Sequence, residues 1–136
     1  MGALIFAGER ILLAERGGEP LKGYWSLPGG VLETGETLKE GIEREVLEET
    51  GLIVQTEGIA KVFERIMHDA DGRVEYHYVL IDYFCRVTGG SQRPGDDCSD
   101  VQWVRVSDLP QLLLTEGTLE VIEEAYETHK RRSARV

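Results

Sequence analysis

The segment from Thr37 to Gly51 carries local signals for one helix with both ends defined. Thr37 and Glu40 have the spacing of a capping box, in which each side chain bonds to the backbone amide of the other residue. Gly51 stands where a helix commonly ends in a left-handed turn. The sequence therefore predicts a helix that begins at Glu36 or Thr37 and ends at Thr50.

Segments with strand character lie on both sides of this helix. Two apolar runs precede it and are separated by three polar residues, which predicts a β-hairpin. Two longer runs follow it and flank an Asp-Ala-Asp-Gly turn, which predicts a second hairpin. The strand-like runs are residues 3–7, 11–14, 25–27, 53–66, 74–87 and 101–106. With 136 residues, the pattern predicts an α/β fold in one domain, with a mixed sheet covered by helices on both faces.

The last third of the chain combines a polar loop, a strand and helical segments. Residues 89–100 are rich in glycine and polar side chains and are predicted to form the loop. Ser107 and Asp108 are expected to cap a second helical segment, which breaks near Glu116-Gly117 and resumes to about Lys130. A basic tail follows, where cations are favoured at a helix C-terminus.

The composition excludes several classes of function. The formal net charge of −10 repels nucleic-acid phosphates, so a long nucleic acid is not expected as a partner despite the basic tail from Lys130 to Arg135. A small phosphorylated substrate stays compatible, because a bound cation can reverse the local sign. No apolar run is long enough to cross a membrane. Cys85 and Cys98 form no CxxC pair and are expected to be free thiols in a cytoplasmic protein.

Acidic side chains stand inside the apolar stripe of the predicted helix. At about 100° per residue, Leu38, Ile42 and Val46 share one face, which is expected to contact the core. Glu45 and Glu49 fall on the same face. Unpaired carboxylates at the edge of a core lose hydration and repel one another, so some partner should offset that cost.

Two kinds of partner for these acids are compatible with the sequence. Glu48 flanks the stripe, whereas Glu40 and Glu43 are expected to point away from it. A divalent cation would suit these carboxylates, because Mg²⁺ prefers oxygen ligands and keeps water positions for substrate phosphates. The alternative is a surface charge network, since acidic helices are common and Arg44 is adjacent, although the helical projection directs it elsewhere.

Residues 30–52 read GVLETGETLKEGIEREVLEETGL, and this string resembles the Nudix box. The family pattern is G-x5-E-x7-R-E-U-x-E-E-x-G-U, where U is a bulky aliphatic residue, and every specified position matches. The preceding Trp-Ser-Leu-Pro-Gly-Gly, which ends at Gly30, is also similar to the usual approach to the box. More loosely, the resemblance extends over nearly the whole chain.

The resemblance implies a Nudix-type α/β/α sandwich and a hydrolase that depends on Mg²⁺ or Mn²⁺. Glu36 and Arg44 would belong to the catalytic set by bracing the loop against the helix, with Arg44 as a bidentate partner. The implied metal ligands, of which the three glutamates also belong to the catalytic set, are Glu45, Glu48, Glu49 and the Gly30 carbonyl.

The loop before the last strand offers further acids to this site. Asp96, Asp97 and Asp100 precede Trp103, and we take Asp97 as an additional predicted metal ligand because loops often carry function. The alternative is ordinary turn chemistry, since Pro-Gly-Asp-Asp is a good turn sequence. The general base would be either a box glutamate or one of these loop acids.

Other polar residues have plainer interpretations. Glu64 and Asp82 are weaker candidates for the base and are expected to be ordinary strand charges. His77 lies in a predicted strand, where a satisfied structural histidine is favoured over a ligand.

The implied reaction is attack of water on a phosphorus of a nucleoside diphosphate linked to another group. ADP-ribose, other nucleoside-diphosphate sugars and nucleoside or deoxynucleoside triphosphates all remain open. The proline that ADP-ribose hydrolases of the family often carry after the box is missing, because the later prolines are Pro94 and Pro110. The alternative function is a catalytically silent nucleotide-binding module of the same fold. A small nucleotide is the expected partner, and a homodimer is an open possibility.

Overall fold

The computed structural model describes residues 1–134, which form six strands, two α-helices and one 3-10 helix. Both predicted hairpins are confirmed. Arg135, the last residue of the predicted basic tail, lies outside the described residues. Within residues 1–134, no helix has the length and apolarity needed to span a membrane. In chain order the elements are β1 (Gly2–Ala7), β2 (Arg10–Arg16), β3 (Trp25–Ser26), α1 (Leu38–Thr50), β4 (Leu52–His68), β5 (Val74–Gly90), β6 (Cys98–Arg105), the 3-10 helix (Val106–Gln111) and α2 (Thr118–Ala134).

The six strands form one mixed sheet in the order β3-β2-β1-β5-β4, and β6 pairs with β2. β1 and β5 run parallel, with Gly2 opposite Asp82, while the other pairs are antiparallel. The first half of β5 pairs with the second half of β4, and these two segments extend past the end of the sheet at which β1 begins. We call this two-stranded extension, residues 61–81, the hairpin arm.

Helices cover both faces of the sheet, as predicted. On one face, Ile42 and Val46 of α1 are fully buried against the strands. On the other face, Ile122 of α2 and Leu109 of the 3-10 helix are fully buried. The α/β/α sandwich with a mixed sheet is therefore confirmed, and it places α1 and α2 on opposite sides of the strands.

The local signals of α1 are confirmed at both ends. The Thr37 hydroxyl accepts a hydrogen bond from the Glu40 amide at 3.1 Å, and the Glu40 carboxylate accepts one from the Thr37 amide at 3.4 Å. Gly51 adopts φ 74°, and its amide donates to the Leu47 carbonyl at 3.0 Å. Hydrogen bonds between residues close in sequence thus define both ends of the helix.

The segment after β6 is helical and breaks before Thr118, as predicted, but the predicted cap was wrong. Ser107 and Asp108 do not cap an α-helix; they lie inside the 3-10 helix, whose N-terminal position is Arg105 with no side-chain cap. Pro110 lacks an amide donor, which disfavours continuation of a helical ladder through this segment. The second α-helix begins only at Thr118.

Candidate active site

Arg44 connects the charged face of α1 to the loop before it. Its guanidinium donates two hydrogen bonds to the Glu36 carboxylate, at 2.7 and 3.0 Å. The same side chain donates to Glu45 at 2.9 Å, to Glu48 at 3.2 Å and to the Val31 carbonyl at 3.1 Å. The helical projection had directed Arg44 away from these acids, but it considered only the Cα direction, and a long arginine side chain reaches across the face.

Glu36 is held as a carboxylate by these contacts. The hydrogen bonds from Arg44 lower its pKa to about 2, and the bond from the Glu33 amide at 2.7 Å adds to the shift. Glu36 and Arg44 therefore fasten the loop of residues 30–36 to the helix over the whole neutral range.

This pKa gives a testable dependence of stability on pH. A carboxylate whose pKa is lowered by folding stabilises the folded state above its unfolded pKa of about 4.3, and this contribution disappears as the pH falls towards 2. We expect the melting temperature of the metal-free protein to fall more steeply between about pH 5 and 2 in the wild type than in Glu36→Gln. Parallel curves for the two proteins would show that the Arg44 pair does not hold this carboxylate ionised.

Three carboxylates meet beside this ion pair. One oxygen each of Glu45, Glu48 and Asp96 lies within 4.8 Å of the other two, and we call these residues the carboxylate cluster. Burial raises the pKa of Glu45, and the hydrogen bond from Arg44 opposes the rise. Three negative oxygen donors at this separation fit a hard divalent cation such as Mg²⁺, and one arginine alone neutralises them incompletely.

The loop after β5 brings Asp96 to the cluster by packing on the C-terminal end of α1. The Gly95 amide donates to the Glu49 carbonyl at 3.0 Å, and the Arg93 amide donates to the Thr50 carbonyl at 2.9 Å. These bonds satisfy carbonyls that the last turn of a helix leaves unpaired. A side chain at Gly95 would collide with the backbone of α1, so glycine allows the close approach.

The structure brings Asp96, and not the predicted Asp97, into the cluster. Asp96 adopts a left-handed conformation with φ 53°, which an aspartate tolerates better than most residues. After this turn, the Asp97 carbonyl accepts a hydrogen bond from the Gly17 amide at 2.8 Å. Asp97 lines the neighbouring cleft instead of joining the cluster.

Glu49 lies on the cleft side of the cluster. Its carboxylate accepts a hydrogen bond from the Gly29 amide at 3.3 Å and one from the Cys98 thiol. Burial raises the pKa of Glu49 to about 7, against the opposing effect of these two hydrogen bonds. Burial also raises the pKa of Cys98 to about 12, so its thiol stays protonated as the donor. No sequence pattern indicates this contact, because the two residues are distant along the chain.

Gly30 has no side chain, and the Glu45 carboxylate packs in the space that one would take. A Cβ at this position would lie 2.5 Å from the Glu45 carboxylate carbon, so a larger residue would displace that carboxylate from its present position. The Gly30 carbonyl accepts a hydrogen bond from the Met1 amino group at 2.8 Å. The carbonyl keeps a second lone pair, which makes it compatible with the predicted role as a ligand.

A cleft of about 840 Å³, the main cleft, opens beside these residues and runs between the α1 side of the sheet and the hairpin arm. This volume lies within the range of small-molecule sites. Its charged lining residues are Arg16, Glu19, Glu49, Arg65 and Asp97. The sequence did not identify these two arginines as site residues, because an isolated arginine at a strand end or in an exposed hairpin belongs to no motif that indicates a ligand.

The family comparison agrees with this geometry. The sequence model of the family described as NUDIX domain matches residues 1–125. The chain belongs to the Nudix family. Residues 30–52 are its Nudix box, in which Glu45 and Glu48 belong to the carboxylate cluster, and Gly30 and Glu49 line the main cleft.

Proteins similar to this Nudix chain are named for different activities. The ADP-ribose pyrophosphatase of Methanocaldococcus jannaschii is 36% identical over 80% of this chain and 62% of its own length. The chain thus spans less than two thirds of that relative. The nucleoside triphosphatase NudI of Enterobacter is 31% identical over 79% of this chain and 78% of its own length. The NUDIX domain of Shewanella oneidensis NrtR, solved with ADP-ribose, is 25% identical with a TM-score of 0.76, over 93% of this chain and 84% of that chain.

Four further acids that were considered in the sequence have different environments in the structure. Glu40 is exposed as predicted, but Glu43 is not: it is half-buried, and one of its oxygens is buried without a hydrogen-bond partner among residues 1–134. The charge of Glu43 acts on the buried thiol of Cys85 in β5, and a helical projection, which contains no neighbouring strand, does not include this environment. Glu64 is exposed on the hairpin arm and pairs with His77 at 2.6 Å. Asp100 bonds to its neighbours on β6.

Proposed function

We propose that this Nudix protein hydrolyses a phosphoric anhydride bond in a nucleoside diphosphate linked to another group, in a reaction that depends on a divalent cation. The observation that carries the proposal is the carboxylate cluster at the side of a cleft large enough for a nucleotide. An acidic cluster facing a phosphate-binding cleft repels its substrate unless a cation lies between them.

The residues that would hold Mg²⁺ or Mn²⁺ are those of the cluster, Glu45, Glu48 and Asp96. Glu49 and the Gly30 carbonyl are further ligands implied by the resemblance. Asp97 was predicted in this role, and we propose Asp96 in its place because its oxygen lies within 4.8 Å of the two glutamates. When bound, such an ion neutralises diphosphate charge, activates water and stabilises the leaving oxygen.

Other side chains of the site would act on the substrate or on its surroundings. Arg16 and Arg65 line the main cleft and would bind phosphate oxygens that the cation leaves free. Arg65 already donates to the Glu116 carbonyl at 2.6 Å, which leaves most of its five donors available. Arg44 and Glu36 would keep the glutamates of α1 in position.

The substrate class is a small nucleotide, and its finer identity is part of the proposal. The names of the two relatives support ADP-ribose and nucleoside triphosphates respectively. The missing proline after the box argues against ADP-ribose as the substrate. The 36% identity to the Methanocaldococcus ADP-ribose pyrophosphatase argues for it. We therefore propose ADP-ribose, other nucleoside-diphosphate sugars and triphosphates as the classes to compare.

The reaction can be tested by assaying these classes with Mg²⁺ in water labelled with ¹⁸O. We expect at least one class to give two phosphorus-containing products, with the label on phosphorus, because the bond broken is the anhydride. Mass spectrometry of the products locates the label. If the oxygen entered at a sugar carbon instead, the anhydride mechanism would be wrong.

The second candidate function is a catalytically silent nucleotide-binding module. The Shewanella NUDIX domain, which was crystallised in complex with ADP-ribose, is a similar fold with such a ligand bound. Saturable binding of ADP-ribose without release of any product, across all three classes, would favour this alternative over the enzyme.

Three broader expectations accompany the proposal. A cytoplasmic location is supported by the two free cysteines, Cys85 and Cys98. One domain over residues 1–136 is supported by the family match to residues 1–125 and by the single sheet. A homodimer stays a prediction.

A further inference from the structure

A second, smaller cavity lies on the α2 face of the sheet, where β1 begins. Its volume is about 140 Å³, well below the range of sites for whole nucleotides, so it can take one ring but not a sugar and phosphates as well. We call it the side cavity. Its polar lining residues are Ser26, Arg65, Asp82, Thr115, Glu116 and Thr118, and Phe63, Leu27, Leu80 and Val121 supply apolar surface.

Asp82 is the unusual member of this lining. It is only 4% exposed, which contradicts the expectation of an ordinary strand charge. Among residues 1–134, no side chain or amide donates a hydrogen bond to its carboxylate, and the positive charges of the Met1 amino group and Lys61 act on it only through the electrostatic field. Buried carboxylates normally have hydrogen-bond donors, and the Asp82 carboxylate lines the side cavity, so its donors have to come from whatever fills that cavity.

The sheet explains why the carboxylate is accessible from the cavity. Asp82 pairs with Gly2 in the parallel β1–β5 ladder, and one of its oxygens fills the space where a Cβ on Gly2 would stand. A side chain at Gly2 would occupy that space. Thr115 and Thr118 share one hydrogen bond at 2.5 Å, which leaves one of the two hydroxyl protons free. The cavity thus combines acceptors, a free donor and an aromatic wall.

The side cavity adjoins the main cleft. Both are lined by the same residues at their junction, including Ser26, Leu27, Arg65 and Leu80. A ligand that has its phosphates near the carboxylate cluster and its ring in the side cavity would pass these shared residues, including Arg65.

We propose that the side cavity is the base-recognition site of the substrate, and that Asp82 selects a purine that carries an exocyclic amino group. An ionised aspartate only accepts hydrogen bonds, so it matches N–H donors at the edge of a flat apolar ring and rejects an edge that offers acceptors alone. Phe63 and the aliphatic residues contact the ring, and the free threonine hydroxyl contacts a ring nitrogen. The assignment rests on the proposed function for the position of the phosphates.

Binding of nucleoside monophosphates tests this assignment without requiring turnover. Calorimetry with Mg²⁺ compares AMP with purine riboside monophosphate, and GMP with IMP, since each pair differs only by the amino group. We expect the wild type to bind one amino-bearing member about tenfold or more tightly than its partner, as for a hydrogen bond to a charged group. In Asp82→Leu the ratio should fall to about one, and in Asp82→Asn, a neutral acceptor, it should be intermediate.

Asp71→Asn is the matched control, because Asp71 lies exposed in the turn of the hairpin arm. It should keep the wild-type ratio. A ratio near one for both pairs in the wild type would overturn the proposal and would mean that water alone fills the cavity. A ratio that survives in Asp82→Leu would also overturn it. Because no bond is cleaved in this assay, failure of the proposed hydrolysis would appear separately, as absence of products from every diphosphate substrate.

Discussion

Glu48→Gln and Glu49→Gln are each expected to lower kcat by roughly a thousandfold, because each removes negative charge from the side of the site where the cation would bind. Glu48 belongs to the carboxylate cluster, and Glu49 lines the main cleft beside it. Glutamine keeps the size and the hydrogen-bonding oxygen of glutamate. The measurement is kcat at saturating Mg²⁺ with the best substrate of the three classes.

The same variants should keep their folding stability without metal. Glu48→Gln removes an exposed i,i+4 pair with Arg44, which contributes about 0–1 kcal/mol, and it relieves repulsion within the cluster. Glu49→Gln replaces a buried acid whose pKa is raised to about 7, so the metal-free melting temperature at pH 8 should hold or rise. A fall in kcat without a fall in melting temperature separates a role in catalysis from a role in folding.

Glu40→Gln is the matched control on the same helix. Glu40 is exposed and serves in the capping box, where glutamine is also accepted. Its kcat should stay close to that of the wild type, and its stability should change by no more than about 0.5 kcal/mol. Glu43 is less suitable as a control, because one of its oxygens is buried without a partner. If Glu40→Gln lost as much kcat as Glu48→Gln, the assignment of the faces of α1 would be wrong.

The parts of the site that follow from local sequence were predictable. The capping box, the apolar stripe and Gly51 each depend on residues within one or two turns, so α1 and its acidic face follow from the order of the residues alone. The alternating and apolar runs likewise predicted the sheet. The resemblance of the box then supplied roles for Glu36 and Arg44, and their bidentate contact is present.

The parts that depend on contacts distant in sequence were not predictable. Asp96 and Asp97 are equivalent as turn residues, and only the packing of their loop on the end of α1 separates them. Asp82 could not be recognised as buried, because its environment comes from β1, the hairpin arm and the start of α2. Glu43 was misassigned for the same reason, since a helical projection contains no neighbouring strand.

Removal of divalent metal should abolish turnover. Without a cation, the carboxylate cluster and the substrate phosphates carry like charges at close range, and neither water nor the leaving oxygen is activated. The acids Glu45, Glu48 and Asp96 offer only oxygen ligands, so hard ions such as Mg²⁺ or Mn²⁺ should restore the activity. The folded state should persist during this treatment, because the apolar clusters on both faces of the sheet lie apart from these acids and hold the fold without them.

The most direct measurement is therefore turnover of one protein sample in excess chelator, followed by titration with Mg²⁺, with circular dichroism recorded at each point. We predict that turnover falls below detection in chelator, returns with Mg²⁺ in a saturable manner, and does so without a change in the circular dichroism spectrum. Full turnover in excess chelator would contradict the account, because the carboxylate cluster would then have no cation to hold during catalysis.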